Sequence, residues 1–218
     1  MSKVRVHVMM SLDGYMAGPN MSREKPFGDV AEGFLDWLFA LKAFREMHGA
    51  EGGETGPSDD VMRETMQGLG ATVMGRNMFG PGPGPWPQPA WNGWWGESPP
   101  FHTPVFVLTH HPREPLVMQG GTVFHFVTDG IESALRQAKE AAGDRDVRIG
   151  GGASAVDQYL TAGLVDELEL HLVPVFMGGG PRLFDNLRGS DVKLEPVRTI
   201  GTPGVTHIKY RVWPSRKG

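Results

Sequence analysis

The densest chemical signal in the chain is Val147-Arg148-Ile149-Gly150-Gly151-Gly152-Ala153-Ser154-Ala155, which reads as a buried strand, a turn without side chains and the start of a helix. Bare main chain lets a bulky ligand approach closely, and the unpaired N–H groups of a helix start attract an anion such as a pyrophosphate. A dinucleotide suits this arrangement. Gly150, Gly152 and Ala155 also satisfy G-x-G-x-x-A, and Glu169 follows at nearly the distance of a ribose contact. A Rossmann unit, however, usually opens its domain, whereas two thirds of this chain precedes the turn. The plain alternative is a tight turn that packs helix against strand.

A second concentration lies between Gly80 and Pro100, which holds five Gly, seven Pro and four of the six Trp. It is too proline-dense for a central strand and too aromatic for an idle linker, so an ordered loop is expected. Trp86, Trp91, Trp94 and Trp95 suit stacking on a planar heterocycle, with the glycines allowing closure. They equally suit a hydrophobic plug against the sheet or a dimer partner. His7, His125, His171 and His207 fall in strand-like segments without metal-ligand spacing, so no metal site is expected.

The elements that must position these residues alternate from end to end. Lys3 to Met10 is a β-like run closed by the turn dipeptide Asp13-Gly14. Val30, Phe34, Trp37, Leu38, Leu41 and Phe44 recur at helical spacing, which predicts one long amphipathic helix over 29–48 with Asp29 as N-cap. A glycine-rich loop over 49–57 precedes a second helix capped by Ser58. Strands are expected at 71–75, 104–109, 122–128, 147–149 and 167–173. Helices are expected from an Asp129 cap with Glu132 in capping-box spacing to Ala142, and over 153–162. Two antiparallel strands fill 192–213. The sum is an α/β sheet with helices on its faces and an antiparallel end.

Bulk properties set the outer bounds. With 218 residues, 39% hydrophobic and 21% charged, the chain is expected to form one globular domain, residues 1–218, with loop insertions near 49–58 and 80–103. A net charge of -4 argues against a broad nucleic-acid surface. The absence of cysteine excludes disulfides, thiolate metal sites and a cysteine nucleophile. The first residues read as a strand instead of a signal peptide, and no apolar run approaches the ~20 residues of a membrane span. A cytoplasmic protein without membrane or nucleic-acid partners is the expectation.

Four segments together resemble the dihydrofolate reductase superfamily, and more closely the reductase domain of the bifunctional riboflavin-biosynthesis deaminase-reductase. They are Ser11-Leu12-Asp13-Gly14-Tyr15-Met16-Ala17-Gly18, Gly75-Arg76-Asn77-Met78, Leu108-Thr109-His110-His111, and the glycine turn continued by Val156-Asp157-Gln158-Tyr159-Leu160 and the strand after it. Met177-Gly178-Gly179-Gly180-Pro181 is similar to a glycine-rich connection of those reductase domains, although a further turn is the simpler reading. The resemblance implies a three-layer α/β/α fold with a mostly parallel central sheet, an NADPH-dependent reductase activity and a homodimer. There is no deaminase motif and no cysteine in the sequence, so a reductase without the deaminase activity is the expectation.

By that resemblance Ala17 and Gly18 border the nicotinamide, and Gly75, Arg76, Asn77 and Met78 begin a helix that meets the cofactor phosphates. Thr109, His110 and His111 flank the adenosine 2′-phosphate, while Gly150, Gly151, Gly152, Ala153 and Ser154 carry the pyrophosphate. In dihydrofolate reductases one Gly-Gly bond of this turn is cis, and three glycines leave open which. Charge logic agrees with NADPH, since Arg76 offers a forked contact and adjacent imidazoles can donate to an anion. The cationic residue that the family places directly after the glycines is absent here. Asp36 is the nearest positional counterpart of the carboxylate that assists pterin protonation, and Asp13 is the second candidate acid. The acceptor expected from the resemblance is a ribosylaminopyrimidine or another small heterocycle; a pterin is the alternative. Rival readings are a Rossmann-type NAD dehydrogenase using Glu169 and a non-catalytic nucleotide-binding protein.

Overall fold

Val4, Val6 and Val8 alternate with Arg5, His7 and Met9, and the strand they form, β1 (Val4–Ser11), lies inside a sheet covered on both faces. Each residue set therefore meets a different layer. The structure, a computed structural model, describes residues 2–80, 82, 84–88, 90–187 and 191–213. Among the described residues nine strands make one sheet: β1, β2 (Leu69–Gly75), β3 (Pro104–Leu108), β4 (Leu116–Val117), β5 (Val123–Val127), β6 (Asp146–Gly151), β7 (Glu167–Val173), β8 (Lys193–Thr202) and β9 (Val205–Trp213). Their spatial order is β4-β5-β3-β2-β6-β1-β7-β9-β8. The run from β5 to β7 is parallel; β4, β9 and β8 pair antiparallel at the two ends. This is the mostly parallel α/β sheet with antiparallel C-terminal strands that the sequence leads one to expect.

One face is a continuous apolar layer. Val4, Val6, Val73, Val147, Ile149 and Leu168 pack beneath the helices α5 (Ile131–Ala142) and α6 (Ala153–Thr161), with Ala134, Leu135, Val156 and Tyr159 among the buried contacts. Full burial of each large aliphatic side chain contributes about 1.5–3 kcal/mol. The opposite face is covered in two separate pieces. The helices α1 (Asp36–Ala40), α2 (Lys42–Met47) and α3 (Pro57–Met66) lie over the β7–β9 side, where Phe34, Trp37 and Leu41 meet Val173 and Val205. The Trp-rich loop and α4 (Arg76–Phe79) cover β2, β3 and β5 through Phe79, Trp86, Trp91, Trp95 and Phe101. Between the two pieces the sheet is left open.

Four local expectations are corrected. Residues 29–48 do not form one helix: the chain is extended at Leu41 (φ -65°, ψ 136°), where it bridges Glu54, and α1 and α2 stand on either side. Lys42 N–H donates to the Glu54 carbonyl and Glu54 N–H to that of Ala40, so a neighbouring segment takes the bonds that a continuous helix would need. Asp29 pairs with Lys25 and Asn20 and caps nothing. Ser58 does not cap α3; Gly56 takes that place with Pro57 as first helical residue, and the Ser58 hydroxyl turns to Thr202 and His207. Gly130, at φ 96°, stands where Asp129 was expected to cap α5.

Candidate active site

The open strip of sheet is the floor of a cavity of about 1260 Å³, larger than the ~300–1,000 Å³ of ordinary ligand pockets and roomy enough for two molecules side by side. One margin runs along the carboxyl ends of the parallel strands, where α/β sheets generally bind ligands. In spatial order that margin offers, at or just beyond the strand ends, Val127 and Thr128 of β5, Thr109, His110 and His111 of β3, Gly75, Arg76, Asn77 and Met78 of β2, Gly150 to Ser154 of β6, and Met16 and Ala17 of β1. Most of the residues expected to hold a cofactor are thus brought together on one edge.

The glycine turn is built for close approach. The Gly151–Gly152 peptide is cis, Gly151 has φ 124°, and a Cβ on Gly152 would meet no protein atom within 4 Å, only the cavity. The first bonds of α6 run from Ala155 and Val156 back to the Gly152 carbonyl, which leaves the N–H groups of Ala153 and Ser154 at the helix start facing the same space. Arg76 lies against the Trp86 ring, its guanidinium 3.7 Å from the ring centroid, and donates to the Gly80 carbonyl; its Nε is buried without a partner. Burial, then the nearby Arg113 charge, lowers the Arg76 pKa, which is the condition an incoming anion relieves. The Thr109 hydroxyl accepts the His111 N–H at 3.1 Å and shapes the turn that presents the two imidazoles.

Several expected site residues lie elsewhere. Asp36 is exposed on α1 and does not line the cavity. Asp13 is absent from the lining too, because its carboxylate accepts the N–H groups of Met177 and Gly178 and the Ser11 hydroxyl. Partial desolvation pushes its pKa up, but those bonds outweigh it and hold the value at about 2, so Asp13 is a loop tie and a poor acid. Gly18 is buried behind the cavity wall; a Cβ there would stand 2.2 Å from the Asp29 carbonyl oxygen, so its smallness serves chain crossing. Trp94 and Trp95 line the cavity, whereas Trp86 and Trp91 do not. The indole N–H of Trp86 holds the His111 carbonyl, while those of Trp91 and Trp94 hold the Phe79 and Met78 carbonyls at the end of α4. Glu169, the ribose ligand of the Rossmann reading, is buried on the sheet face against Arg198 and does not line the cavity.

The floor holds residues that sequence reasoning passed over. His7 on β1, Arg148 on β6 and His171 on β7 project from adjacent strands into the gap between the two covering pieces. His7 is buried with neither ring nitrogen bonded. Burial first, then the charges of Arg148 and other neighbours, keeps it neutral far below the usual imidazole range. His171 joins its Nδ1 to Nδ1 of His207 at 2.8 Å, and His207 Nε2 reaches the Ser58 hydroxyl at 3.0 Å. Burial depresses both, His171 to about 3 with help from the adjoining His207 and then Arg148, and His207 to about 4 with help from Arg198. The available signal was alternation: Arg5 and His7 interrupt the valines of a strand placed among parallel neighbours, where both faces are ordinarily apolar.

The comparisons with known proteins agree with this architecture. Residues 2–206 match the model of the RibD C-terminal domain. An 86-residue stretch is 34% identical to the uncharacterized protein YyaP of Bacillus subtilis (strain 168), covering 39% of this chain and 45% of that protein, so the match spans under half of the curated relative. Among solved structures, a putative riboflavin biosynthesis protein from Shewanella sp. PV-4 superposes with a TM-score of 0.61 at 22% identity, over 96% of this chain and 98% of the other. Acinetobacter baumannii RibD gives 0.55 at 14% identity, over 97% of this chain and 58% of that one. Dihydrofolate reductase from Enterococcus faecalis, complexed with NADP(H) and RAB-propyl, gives 0.52 at 15% identity with 96% of both chains covered. These likenesses establish the dihydrofolate-reductase-like fold, and the family match carries the assignment: the chain belongs to the RibD C-terminal domain family.

Proposed function

We propose that the protein is an NADPH-dependent reductase whose acceptor is a small planar heterocycle. The observation that carries this reading is the side-chain-free Gly150–Gly152 turn, opening together with the first turn of α6 on a cavity bounded by successive strand ends. NADPH, when bound, supplies the hydride. Gly152, Ala153 and Ser154 would receive its pyrophosphate through main-chain N–H groups. Arg76 with Thr109, His110 and His111 would receive the 2′-phosphate, and Met16 and Ala17 would shield the nicotinamide from water.

The acceptor also needs a proton. With Asp13 and Asp36 outside the cavity, the chain His171–His207–Ser58 is the better source. His171 can release a proton from Nε2 into the cavity while its Nδ1 takes the one held by His207. His207 in turn takes the Ser58 hydroxyl proton at Nε2 while the half-buried Ser58 oxygen recovers one from solvent water, so no imidazole has to become cationic and no alkoxide is left.

Titration with NADPH and NADH tests the cofactor assignment, with NADPH expected to bind at least about ten-fold more tightly. Arg76→Ala is expected to erase most of that difference. Gly152→Ala, whose methyl meets no protein atom, is expected to weaken both nucleotides without lowering the melting temperature. Equal binding of both nucleotides, unmoved by Arg76→Ala, would remove the 2′-phosphate role.

A further inference from the structure

The polar face of the sheet is electrically closed except at one point. Lys3, Arg5, Arg198 and Lys209 are matched by Asp146, Glu64, Glu167 and Glu169 in a connected set of ion pairs, four cations against four carboxylates, each contact within 4.0 Å. Arg148 belongs to none of these pairs. Its polar contact among the described residues is with the Met66 sulfur at 3.7 Å, and its Nε is buried without a partner. Burial, then the Arg5 charge, lowers its pKa to about 10, so it still carries its proton at neutral pH. Beside it His7, 6% exposed, has both ring nitrogens unpartnered, and both side chains line the cavity. A protein seldom leaves a desolvated guanidinium and imidazole both unsatisfied unless a ligand completes them.

We propose that Arg148 and His7 form an acceptor subsite for a planar carboxylate carried on a flat, largely apolar body. This rests on the reductase reading, and it names the acceptor's class within the same cavity. A carboxylate matches the guanidinium in planarity and takes two parallel N–H bonds, with the neutral His7 ring able to donate a third. Charge favours a monoanion, because the surrounding pairs cancel and Arg148 alone is surplus; a phosphate dianion would leave one negative charge buried. The walls over this floor, Met62 and Met66 on one side and Trp94, Trp95 and Phe101 on the other, suit an aromatic or conjugated body.

The test uses 2-naphthoate, its neutral isostere 2-naphthamide and 2-naphthyl phosphate as probes, each titrated calorimetrically into the full chain with and without saturating NADP+. The acid is expected to bind at least about ten-fold more tightly than the amide and more tightly than the phosphate ester. Arg148→Met should abolish the preference for the acid while leaving amide binding within about two-fold. Equal affinity for acid and amide, tighter binding of the phosphate ester, or no binding of any probe at millimolar concentration each overturns the proposal on the unmutated protein, so the outcome does not depend on the variant folding. NADP+ producing no heat while the acid still discriminates would count against the reductase reading alone.

Discussion

The two faces of the central strands are made from the same chain positions in alternation, yet they are organised on different principles. On the α5–α6 side Val6, Ile149 and Leu168 lie in one large apolar cluster, where the sheet meets the helices chiefly by packing. On the other side the intervening residues, Arg5, His7, Arg148, Glu169 and His171, are polar and buried or half-buried, and most are closed by specific partners. Packing has no preferred location along a strand, whereas the polar side does. Its pairs are complete beneath α3 and β8 and incomplete where the cover parts above β6 and β1. Stability resides in the first face, and chemistry in the unfinished part of the second.

The largest effect is expected from attacking the packed face. Leu168→Ala, at a fully buried β7 position under α6, should cost about 2–5 kcal/mol in urea unfolding, with cofactor affinity unchanged in the folded fraction. A loss below about 1 kcal/mol would mean that this face tolerates voids and that the distinction is overstated.

The polar face should reveal itself through acid. His7, His171 and His207 all have pKa values held below the ordinary 6.5 in the fold, so the unfolded chain binds the extra protons as pH drops below that value. Stability is therefore complete above about pH 6.5 and declines toward the folded values, near 4 for His207 and 3 for His171. Between pH 6.5 and 4.5 the expected loss is on the order of 2 kcal/mol for each imidazole that stays neutral in the fold, before the ion-paired Glu64 and Glu167 begin to contribute. Glu169, raised by burial, opposes the trend modestly because it takes up a proton in the fold first. His171→Gln should shrink the loss. A flat stability profile over this window would mean that the native imidazoles protonate freely.

Smaller still is the expected effect of Arg148→Met on folding. Removing a cation that has no carboxylate partner relieves a desolvation cost, so the melting temperature should stay level or rise, in contrast to Leu168→Ala. A loss above about 1 kcal/mol would reveal a protein partner for the guanidinium and erase its distinction from the four paired cations.

What the sequence made legible follows the same division. The glycine turn, the strand at 167–173 and the antiparallel tail were readable because each is dictated locally, by missing side chains or by period-two alternation. The residues 29–48 misled because helical spacing of Val30, Phe34, Trp37 and Leu41 also satisfies a chain that must bury the same residues while bending to meet Glu54. The cavity floor was hidden for a different reason. His7, Arg148 and His171 are 141 or more positions apart from first to second, and only strand order sets them side by side. Nothing in local propensity reports which of several isolated histidines will share a face.

The smallest expected effect belongs to Asp36→Asn, and it bears directly on which covering element matters. Position counting along the first helix makes Asp36 the natural proton donor, but its carboxylate is solvent-exposed at the start of a five-residue helix while its neighbours Trp37 and Leu38 line the cavity. A neutral amide there removes at most a weak helix-terminus interaction, so stability should change by less than about 0.5 kcal/mol. Nucleotide affinity and the rate of NADPH oxidation with any acceptor that the unmutated protein reduces should also be unchanged. Ser58→Ala, which cuts the hydroxyl from the His207–His171 chain, should in contrast slow the same rate and leave nucleotide affinity intact. The opposite pattern, Asp36→Asn slow and Ser58→Ala normal, would return the proton to the helical cover and leave the buried imidazoles as packing.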